Sequence, residues 1–495
     1  MAGQSIVLRN NQPVALTEIP RLSLDAFRAW TVSQVEAGKR LAVLCCFPQI
    51  HGFLLCAVLA DDANGWLELA GAEAAQEFPS LTPQCVQAQL FEREIFETYG
   101  LRPVDHPWLK PVRFPCASHH PNHKIGEMDY FQVEGPEVHE VAVGPVHAGV
   151  IEPGHFRFQC HGERVFHLEI SLGYQHRGVM QALLQASESQ RRHLMETAAG
   201  DATAGHTTAY CNALDALAGR QAPARAHAIR GIALEFERIA CHIGDLGAMA
   251  GDVGFLPTQA YCGRIRGAAL NMTAAICGNR FSRGLIRPGG VAYDLDDAII
   301  RHLLERLEAV RADAVSAIEL LWITPSVLER FERTGVVSKE IAEEIGLVGP
   351  AARACGLNRD VRHDFARGIY QFQQIPIASV ESGDVYGRAM VRWLELLRSM
   401  TFVREMLLAL PDSKIMSEPG AMKPESIVVS LVEGWRGEIC HIAVTDAQGE
   451  LSGYKIIDPS FHNWFGLACA LRDEAISDFP LCNKSFNLSY CGFDL

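Results

Sequence analysis

The sequence predicts an α+β chain, with a small N-terminal sheet-and-helix unit followed by a larger, mainly helical body carrying peripheral β-hairpins. Three patterns support this. Leu41 to Phe47 and Phe53 to Leu59 are short β-prone runs, and the turn Asp61-Asp62-Ala63-Asn64-Gly65 follows them. From Pro223 onward, Ile229, Ile232, Phe236, Ile239, Ile243 and Leu246 recur at spacings of three and four, one wide apolar helix face. Near the end the period becomes two: Ile427 to Leu431, Glu438 to Thr445 and Tyr454 to Ile457 form a meander around Gly434-Trp435-Arg436-Gly437 and Gln448-Gly449.

Residues 24–115 read as the small unit, in which Trp66 to Leu69 continues the strands. Thr82 is placed to cap a helix with Pro83 first and Gly100 last, turning Val86, Leu90 and Ile95 inward. A sheet with one covering helix is expected. Pro115 to Pro136 is rich in Pro, His and Asn and reads as a linker, giving units at 1–115 and 140–495 joined by 116–139. His119 and His123 could ligate a surface metal, but on a Pro-interrupted loop they read as a solvated turn. Extended segments are expected around Val141 to Leu172. Helices are expected at about 181–197, 202–218, 257–277, 296–321 and 386–409, lengths that favour an antiparallel bundle. A last helix runs through Leu471, and the apolar tail Pro480 to Leu495 folds back onto the body.

Composition narrows the function. The 495 residues carry 44 Lys+Arg against 58 Asp+Glu, a net charge of −14, which disfavours nucleic acid and anionic lipid as partners. Apolar runs such as Phe53 to Ala60 fall far short of the ~18–20 residues that span a bilayer, and Met1 to Asn10 has no signal-like core. A soluble, unsecreted chain without direct membrane insertion is expected. The fifteen cysteines are scattered, with no CxxC, and read as mostly buried thiols. There is no G-x-x-x-x-G-K-[ST], strand-linked GxGxxG, HExxH or G-x-S-x-G, so direct NAD or ATP binding has no support.

Several segments place unusual polar residues on core-like elements. Gly144-Pro145-Val146-His147 and Glu152-Pro153-Gly154-His155-Phe156-Arg157 gather a carboxylate, two imidazoles and a guanidinium in one Gly/Pro-shaped loop. Gly173-Tyr174-Gln175-His176-Arg177-Gly178, His206 to Cys211, His242, Asp252-Val253-Gly254 and Arg287-Pro288-Gly289-Gly290 are of the same kind. Taken singly, each is compatible with a satisfied structural hydrogen bond.

As an ordered set, the stretches GPVHAGVIEPGHFRF, GYQHRG, HTTAYC, PARAHAIRGIALEFERIACHIGDLG, RPGGV, EGWRGE and DPSFHNW resemble the large subunit of the complex I and nickel-iron hydrogenase superfamily, most closely its membrane-associated, formate-hydrogenlyase type. FEREIFETYGL followed by DHPW is similar to the short α/β subunit of complex I, which that type fuses in front of the large one. The resemblance covers about 45–115 and 140–495. It implies a short-subunit-like α/β domain fused to a mainly helical hydrogenase-like domain.

In that family two CxxC pairs hold nickel and iron, thiolates being the soft ligands these metals select. The matching positions are Ala199 and Ala202 in the first pair and Ser489 and Gly492 in the second, with Cys491 out of register. Methyl, hydroxymethyl and hydrogen cannot replace thiolates, so the expectation is no nickel-iron centre and no cofactor held by this chain. The quinone-binding pattern of complex I also departs. Pro153 stands at its histidine position and Gly200 at its tyrosine position, while Asp252 keeps its match and His155 is a candidate substitute imidazole. Glu152 matches the proton-passing glutamate of the hydrogenase EGHxR-type segment, with Pro153 intervening. It reads either as a proton relay or as a structural partner of Arg157 or Arg177. His147, Arg157, His176, Arg177, His206, His242 and Arg287 are read as supporting residues.

The resemblance implies an oxidoreductase subunit packed against a small subunit carrying a 4Fe-4S cluster and against polytopic membrane subunits, peripherally attached at the inner face of the membrane. It implies a coupling role between the cluster and an ion-translocating arm, with NADH a family-inherited donor. Glu152, His155 and Asp252 are the candidate relay or quinone-pocket residues. The alternative is a quinone-reducing subunit, and an active hydrogenase is disfavoured.

Overall fold

The computed structural model describes residues 5–121, 124–147 and 151–495. The N-terminal unit contains strands β1 (Ile6–Leu8), β2 (Val14–Ala15) and β3 (Arg21–Leu22), helix α1 (Leu24–Glu36), then β4 (Arg40–Gln49), β5 (Gly52–Asp61) and β6 (Trp66–Ala74). The sheet order is β1-β6-β5-β4, antiparallel throughout, with β3 added parallel to β6. Leu54 to Ala60 are buried without alternation. Such a run means both sheet faces are covered.

Two helices cover this unit rather than one. Ser23 caps α1 by accepting from the Ala26 N–H, and α1 buries Phe27 and Trp30. After β7 (Glu77–Pro79), the helix expected from Pro83 starts only at α2 (Gln89–Tyr99), which ends at Gly100 in the left-handed region, before β8 (Arg102–Val104). The reason is Glu92. Its buried carboxylate accepts from Ser80 Oγ (2.6 Å), the Leu81 N–H (2.6 Å) and Thr82 Oγ1 (2.5 Å), so Thr82 serves a turn instead of a cap. The inward residues are Phe91 and Ile95, while Val86 and Leu90 are only partly buried.

The larger body opens with a three-stranded antiparallel sheet, β9 (Val138–Val143), β10 (His155–His161) and β11 (Arg164–Ser171), with β10 central. The helix expected at 181–197 is two, α3 (Val179–Gln185) and α4 (Glu188–Glu196), because Ala186 is extended and Ser187 with Gln190 forms a capping box that starts a new helix. Then come α5 (Thr203–Leu217), α6 (Ala224–Asp252) and α7 (Leu256–Cys277), the short hairpin β12 (Ile286–Arg287) and β13 (Gly290–Val291), and α8 (Asp297–Trp322). Four short helices, α9 (Pro325–Phe331), α10 (Lys339–Glu344), α11 (Gly349–Arg353) and α12 (Val361–Asp364), lead to α13 (Val385–Leu408). The meander is β14 (Ser426–Gly434), β15 (Gly437–Thr445) and β16 (Leu451–Ile457), followed by α14 (Pro459–Ala470), α15 (Phe479–Phe486) and α16 (Tyr490–Phe493).

Helix α6 is the axis of the bundle and packs against α5, α7, α13 and α15. All six residues of its predicted face are fully buried, and so are most of the others, because it is surrounded rather than laid on a surface. The closing tail folds in as expected, with Leu481, Phe493 and Leu495 buried.

The two units interlock. Strand β2 pairs with the edge of β14, Val14 opposite Ile427, so the chain's start extends the distant meander. Asn10 spans the seam, accepting from the Leu431 N–H (2.8 Å) and donating to the Leu431 and Phe365 carbonyls. Arg40, buried, pairs with Glu438 at 2.5 Å and with Asp62 at 3.0 Å. Among the described residues, no helix is long and apolar enough to cross a membrane.

Phe236 lies in the middle of α6 with no exposed surface. Phe236→Ala should lower the free energy of unfolding by about 3–5 kcal/mol. Ile50→Ala, at a side chain 95% exposed, should change it by less than ~0.5 kcal/mol. Urea denaturation of both variants checks the pair.

Candidate functional site

The positions that the resemblance assigns to metal ligands converge. Ala199 and Ala202 are buried in the turn between α4 and α5, and they form one small cluster with Cys241 of α6, Trp435 of the β14–β15 turn and Cys491 of α16. Ser489 is the N-cap of α16. Its Oγ accepts from the Gly492 N–H at 2.9 Å and lies 3.4 Å from Cys491 Sγ. At Gly492 a Cβ would fall 2.7 Å from the Asp458 carboxyl carbon, so a side chain there must displace a buried carboxylate.

The chemistry of this donor set does not fit a nickel-iron pair. Two methyl groups and a hydrogen offer no ligand atom, and the one hydroxyl is committed to a helix cap. The two thiols bordering the cluster, Cys241 and Cys491, are both raised by burial, Cys241 further by Asp201 and Cys491 by the facing Glu152 carboxylate. Burial thus keeps them as thiols rather than thiolates. Among the described residues, no group of three or more His, Cys, Asp or Glu side chains is arranged to hold a metal ion.

What closes this pocket is a charge pair absent from the sequence reading. Arg436 makes a bidentate contact with Asp201, at 2.5 and 2.8 Å, and its guanidinium stacks on Trp435 at 3.9 Å. Trp435 Nε1 donates to the Asp201 carbonyl at 2.8 Å. Beside this pair opens a cavity of about 330 Å³, lined by Asp201, Cys241, Asp245, Arg266, Trp435 and Lys484. Asp201 sits between the two alanines and Arg436 lies within EGWRGE, so their composition was visible but their pairing across 235 residues was not.

One turn before Cys241 on α6, Glu237 accepts from the Ala204 N–H (2.7 Å) and the Gly205 N–H (3.2 Å) at the start of α5. Burial raises this half-buried carboxyl to about 8, against the pull of those two donors, and Asp201 adds to the rise.

Behind the Trp435 turn lies a fully buried ion lattice. Glu395 accepts from Arg353 (2.5 Å), His242 Nε2 (2.9 Å) and Arg238 (3.3 Å). Arg238 pairs with Glu235, Arg362 with Glu235 and Asp360, and Arg353 with Glu433. Three guanidiniums thus face four carboxylates. Glu433 is the carboxyl pushed up, to about 7, first by burial and then by Asp360 despite Arg353. Arg238 also donates to the Glu433 and Gly434 carbonyls, and His242 packs edge-on to Trp435. His242 therefore belongs to the support of the turn.

The other supporting residues have definite partners. His176 Nδ1 is 2.9 Å from the Asp494 carbonyl, whose carboxylate accepts from the Gly173 and Gln175 N–H groups, while Arg177 donates to the Thr197 and Ala198 carbonyls. The GYQHRG turn thereby holds both the segment before Ala199 and the tail after Gly492. Arg287 supplies a carbonyl to Arg230, and the Gly289 N–H donates to Asp215. His147 Nε2 is 2.9 Å from the Gly154 carbonyl, closing its loop on itself. Residues 148–150 of the Val146 to Arg157 loop, and His123, lie outside the described residues.

The three candidate relay residues are not joined to one another. Glu152 faces Cys491 and Tyr490 rather than an arginine. Arg157 lies over the Tyr130 ring at 3.9 Å and pairs with Glu140 at 3.5 Å. The His155 ring lies tilted against Tyr130, 5.4 Å between centroids, with Nε2 buried and without a hydrogen-bond partner among the described residues, and burial lowers its imidazole. Asp252, exposed at the end of α6, is raised to about 6 by the protein around it, with Lys484 opposing. His206, read as a supporting residue, contacts Asp458 and His441.

Against known proteins, residues 252–425 match the family described as the respiratory-chain NADH dehydrogenase 49 Kd subunit, and residues 31–129 match its 30 Kd subunit. The chain is 32% identical to the carbon monoxide-induced hydrogenase of Rhodospirillum rubrum, over 70% of this chain and 96% of that one. It is 30% identical to formate hydrogenlyase subunit 5 of Escherichia coli, over 84% and 76%. It is likewise 30% identical to a subunit of the NADH-quinone oxidoreductase of Dehalococcoides mccartyi, over 68% and 91%.

The position of Glu237 gives a pH test with a definite sign. The folded chain holds a proton to about pH 8 that the unfolded chain releases near its ordinary value of 4.5, so this group makes stability fall as pH rises across that window. Glu237→Gln keeps an acceptor for Ala204 and Gly205 and should flatten the fall, its thermal midpoint gaining on the parent from pH 5 to 8.

Proposed function

This chain belongs to the family of large subunits shared by membrane-bound hydrogenases and NADH-quinone oxidoreductases, with a 30 Kd-type unit fused in front, and from that premise we propose that it is the soluble-arm subunit of a complex-I-like redox complex working without a nickel-iron site of its own. The observation that carries this reading is the replacement of the four ligand positions by Ala199, Ala202, Ser489 and Gly492 inside a surviving shell. Asp201 and Arg436 close the pocket, Arg177 and His176 hold its two chain segments, and the lattice around Glu395 supports its third wall.

In this reading a neighbouring subunit supplies a 4Fe-4S cluster, and polytopic subunits provide attachment to the inner face of the membrane and the ion-translocating arm. The chain transmits charge changes at that cluster through its proton-bearing groups and contacts. Glu152, beside Cys491, and Asp252, at the end of the axial helix, are the groups to which we assign this role. A second reading, a quinone-reducing subunit, draws on the unpartnered Nε2 of His155 beside Tyr130, an imidazole–phenol pair built from residues other than the usual ones.

Purified with its neighbours, the chain should carry no stoichiometric nickel by elemental analysis and should copurify with an iron-sulfur subunit; about one nickel per chain would overturn the reading. Glu152→Gln should lower coupled turnover of the complex with assembly intact, and unchanged turnover removes Glu152 from this role. Quinone-site inhibitors that block turnover in the parent but not in His155→Ala would favour the second reading.

A further inference from the structure

A cavity of about 470 Å³ opens where the start of the chain meets the turn joining α5 to α6 and the loop after α12. That is the size of a small-molecule site. It shares Asn212, His227, Arg367 and Gly368 with an inner chamber of about 40 Å³, which is bordered by Thr208 and Glu433 and has room for ordered water. The Thr208 hydroxyl, on a residue 5% exposed, has no hydrogen-bond partner among the described residues and is open to such a water. Gly368 forms the neck between the two spaces. Its φ is 59°, and a Cβ there would stand 2.9 Å from His227 Nδ1, so only glycine lets the loop pass this close to the imidazole.

The charges at the cavity are out of balance. The carboxylate in its lining, Asp215, is fully engaged: it accepts from Arg220 (2.8 Å), Arg230 (3.1 Å) and the Gly289 N–H (2.6 Å). Arg367 and Lys423, by contrast, make no ion pair among the described residues. Arg367 is oriented by its Nε, which donates to the Asn10 carbonyl at 2.6 Å, and burial and the nearby Arg9 charge lower it. Lys423 has its backbone fixed, its N–H on the Leu217 carbonyl and its carbonyl accepting the Thr445 hydroxyl at 2.6 Å, while its side chain lines the cavity. His227 is lowered to about 4 by burial and Arg230, which leaves it an uncharged ring at neutral pH. On a chain of net charge −14, two cations without counter-ions on one cavity are an anion site. Pro13, Ala216 and Ala222 give the same cavity an apolar side, and the Phe372 ring stands at it 84% exposed.

We propose that this cavity binds a phosphate monoester carrying a planar ring, with the phosphate held by Arg367 and Lys423 and the ring against Phe372. A phosphate monoester carries a charge of about −1.5 to −2 at pH 7, which matches the two free cations where a carboxylate would match one. The chain has no glycine-rich phosphate loop, so side-chain cations do the holding. A ligand there touches the start of the chain and the large body together. It therefore tightens the join that Asn10 makes to Leu431 and Phe365, whatever partners the chain has.

The test is isothermal titration of the full chain at pH 7 with four probes. Phenyl phosphate should saturate one site with a dissociation constant below about 10 mM. Inorganic phosphate, which lacks the ring, and benzoate, which lacks the second charge, should each bind about threefold or more weakly, and phenol weaker still. Arg367→Gln combined with Lys423→Gln should weaken phenyl phosphate by about tenfold or more, and Lys423→Gln alone, at an exposed side chain that the fold does not need, by about threefold. Phe372→Ala should cost phenyl phosphate about threefold and leave inorganic phosphate within about twofold. Arg264→Gln, at an exposed arginine of α7 paired with Asp313, is the control and should change neither. No saturation by phenyl phosphate, affinity within about twofold of the parent in both the double variant and Lys423→Gln, or an equal loss in Arg264→Gln overturns the site. Inorganic phosphate or benzoate binding as tightly as phenyl phosphate overturns the ligand class.

Discussion

The structure depends on the satisfaction of one buried carboxylate, Glu395. On α13, it takes hydrogen bonds from Arg353 of α11 and from His242 and Arg238 of α6. A buried ion pair adds little net stability, yet loss of one member strands a charge in a medium that cannot solvate it, so the arrangement is tightly specified. Through Arg238 the lattice grips the carbonyls of Glu433 and Gly434, and through Arg353 the Glu433 carboxylate. The position of the Trp435-Arg436 turn, and with it the closure onto Asp201, follows from that grip.

The same grip sets the shape of the pocket in which Ala199 and Ala202 cluster with Trp435 and Cys241. In a metal site much of the geometry resides in the outer partners that orient the ligands. Here the segments around those positions are tied down on both sides: Arg177 donates to the Thr197 and Ala198 carbonyls before Ala199, and Asp494 accepts from the backbone of the GYQHRG turn. The centre holds methyl groups, and the neighbouring cavity is polar and bordered by Arg266 and Lys484. Burial pushes the carboxyls of Glu237 and Glu433 up to about 8 and about 7, so proton-bearing groups stand on the elements that wall the pocket.

Much of the fold is legible because its signals are local. The long helices 203–217, 256–277, 297–322 and 385–408 fall within a residue or so of their periodic patterns, and the meander follows from period-two runs broken by Gly-rich turns. The misreadings are also local signals, overruled by distant groups or by a second cap. Thr82-Pro83 looks like a helix start until Glu92 takes the Thr82 hydroxyl, and 181–197 looks continuous until Ser187 and Gln190 cap a second helix. At the site, the segments bearing His176, Arg177, His206 and His242 are conspicuous as polar residues on core-like elements. Asp201, Glu237, Cys241 and His441 are not, because nothing in their immediate neighbours distinguishes them.

The sequence by itself determined the order of elements, the two-unit organisation, the family resemblance and the absence of thiols at four positions, since each is written in residue type and spacing. Only the tertiary structure decided who faces whom. Arg436 meets Asp201, Tyr454 and His441 line up behind His206, and β2 completes a sheet more than four hundred residues away. The physical reason is that a buried charge or imidazole is defined by its partner, and partners are chosen by packing across the chain rather than along it.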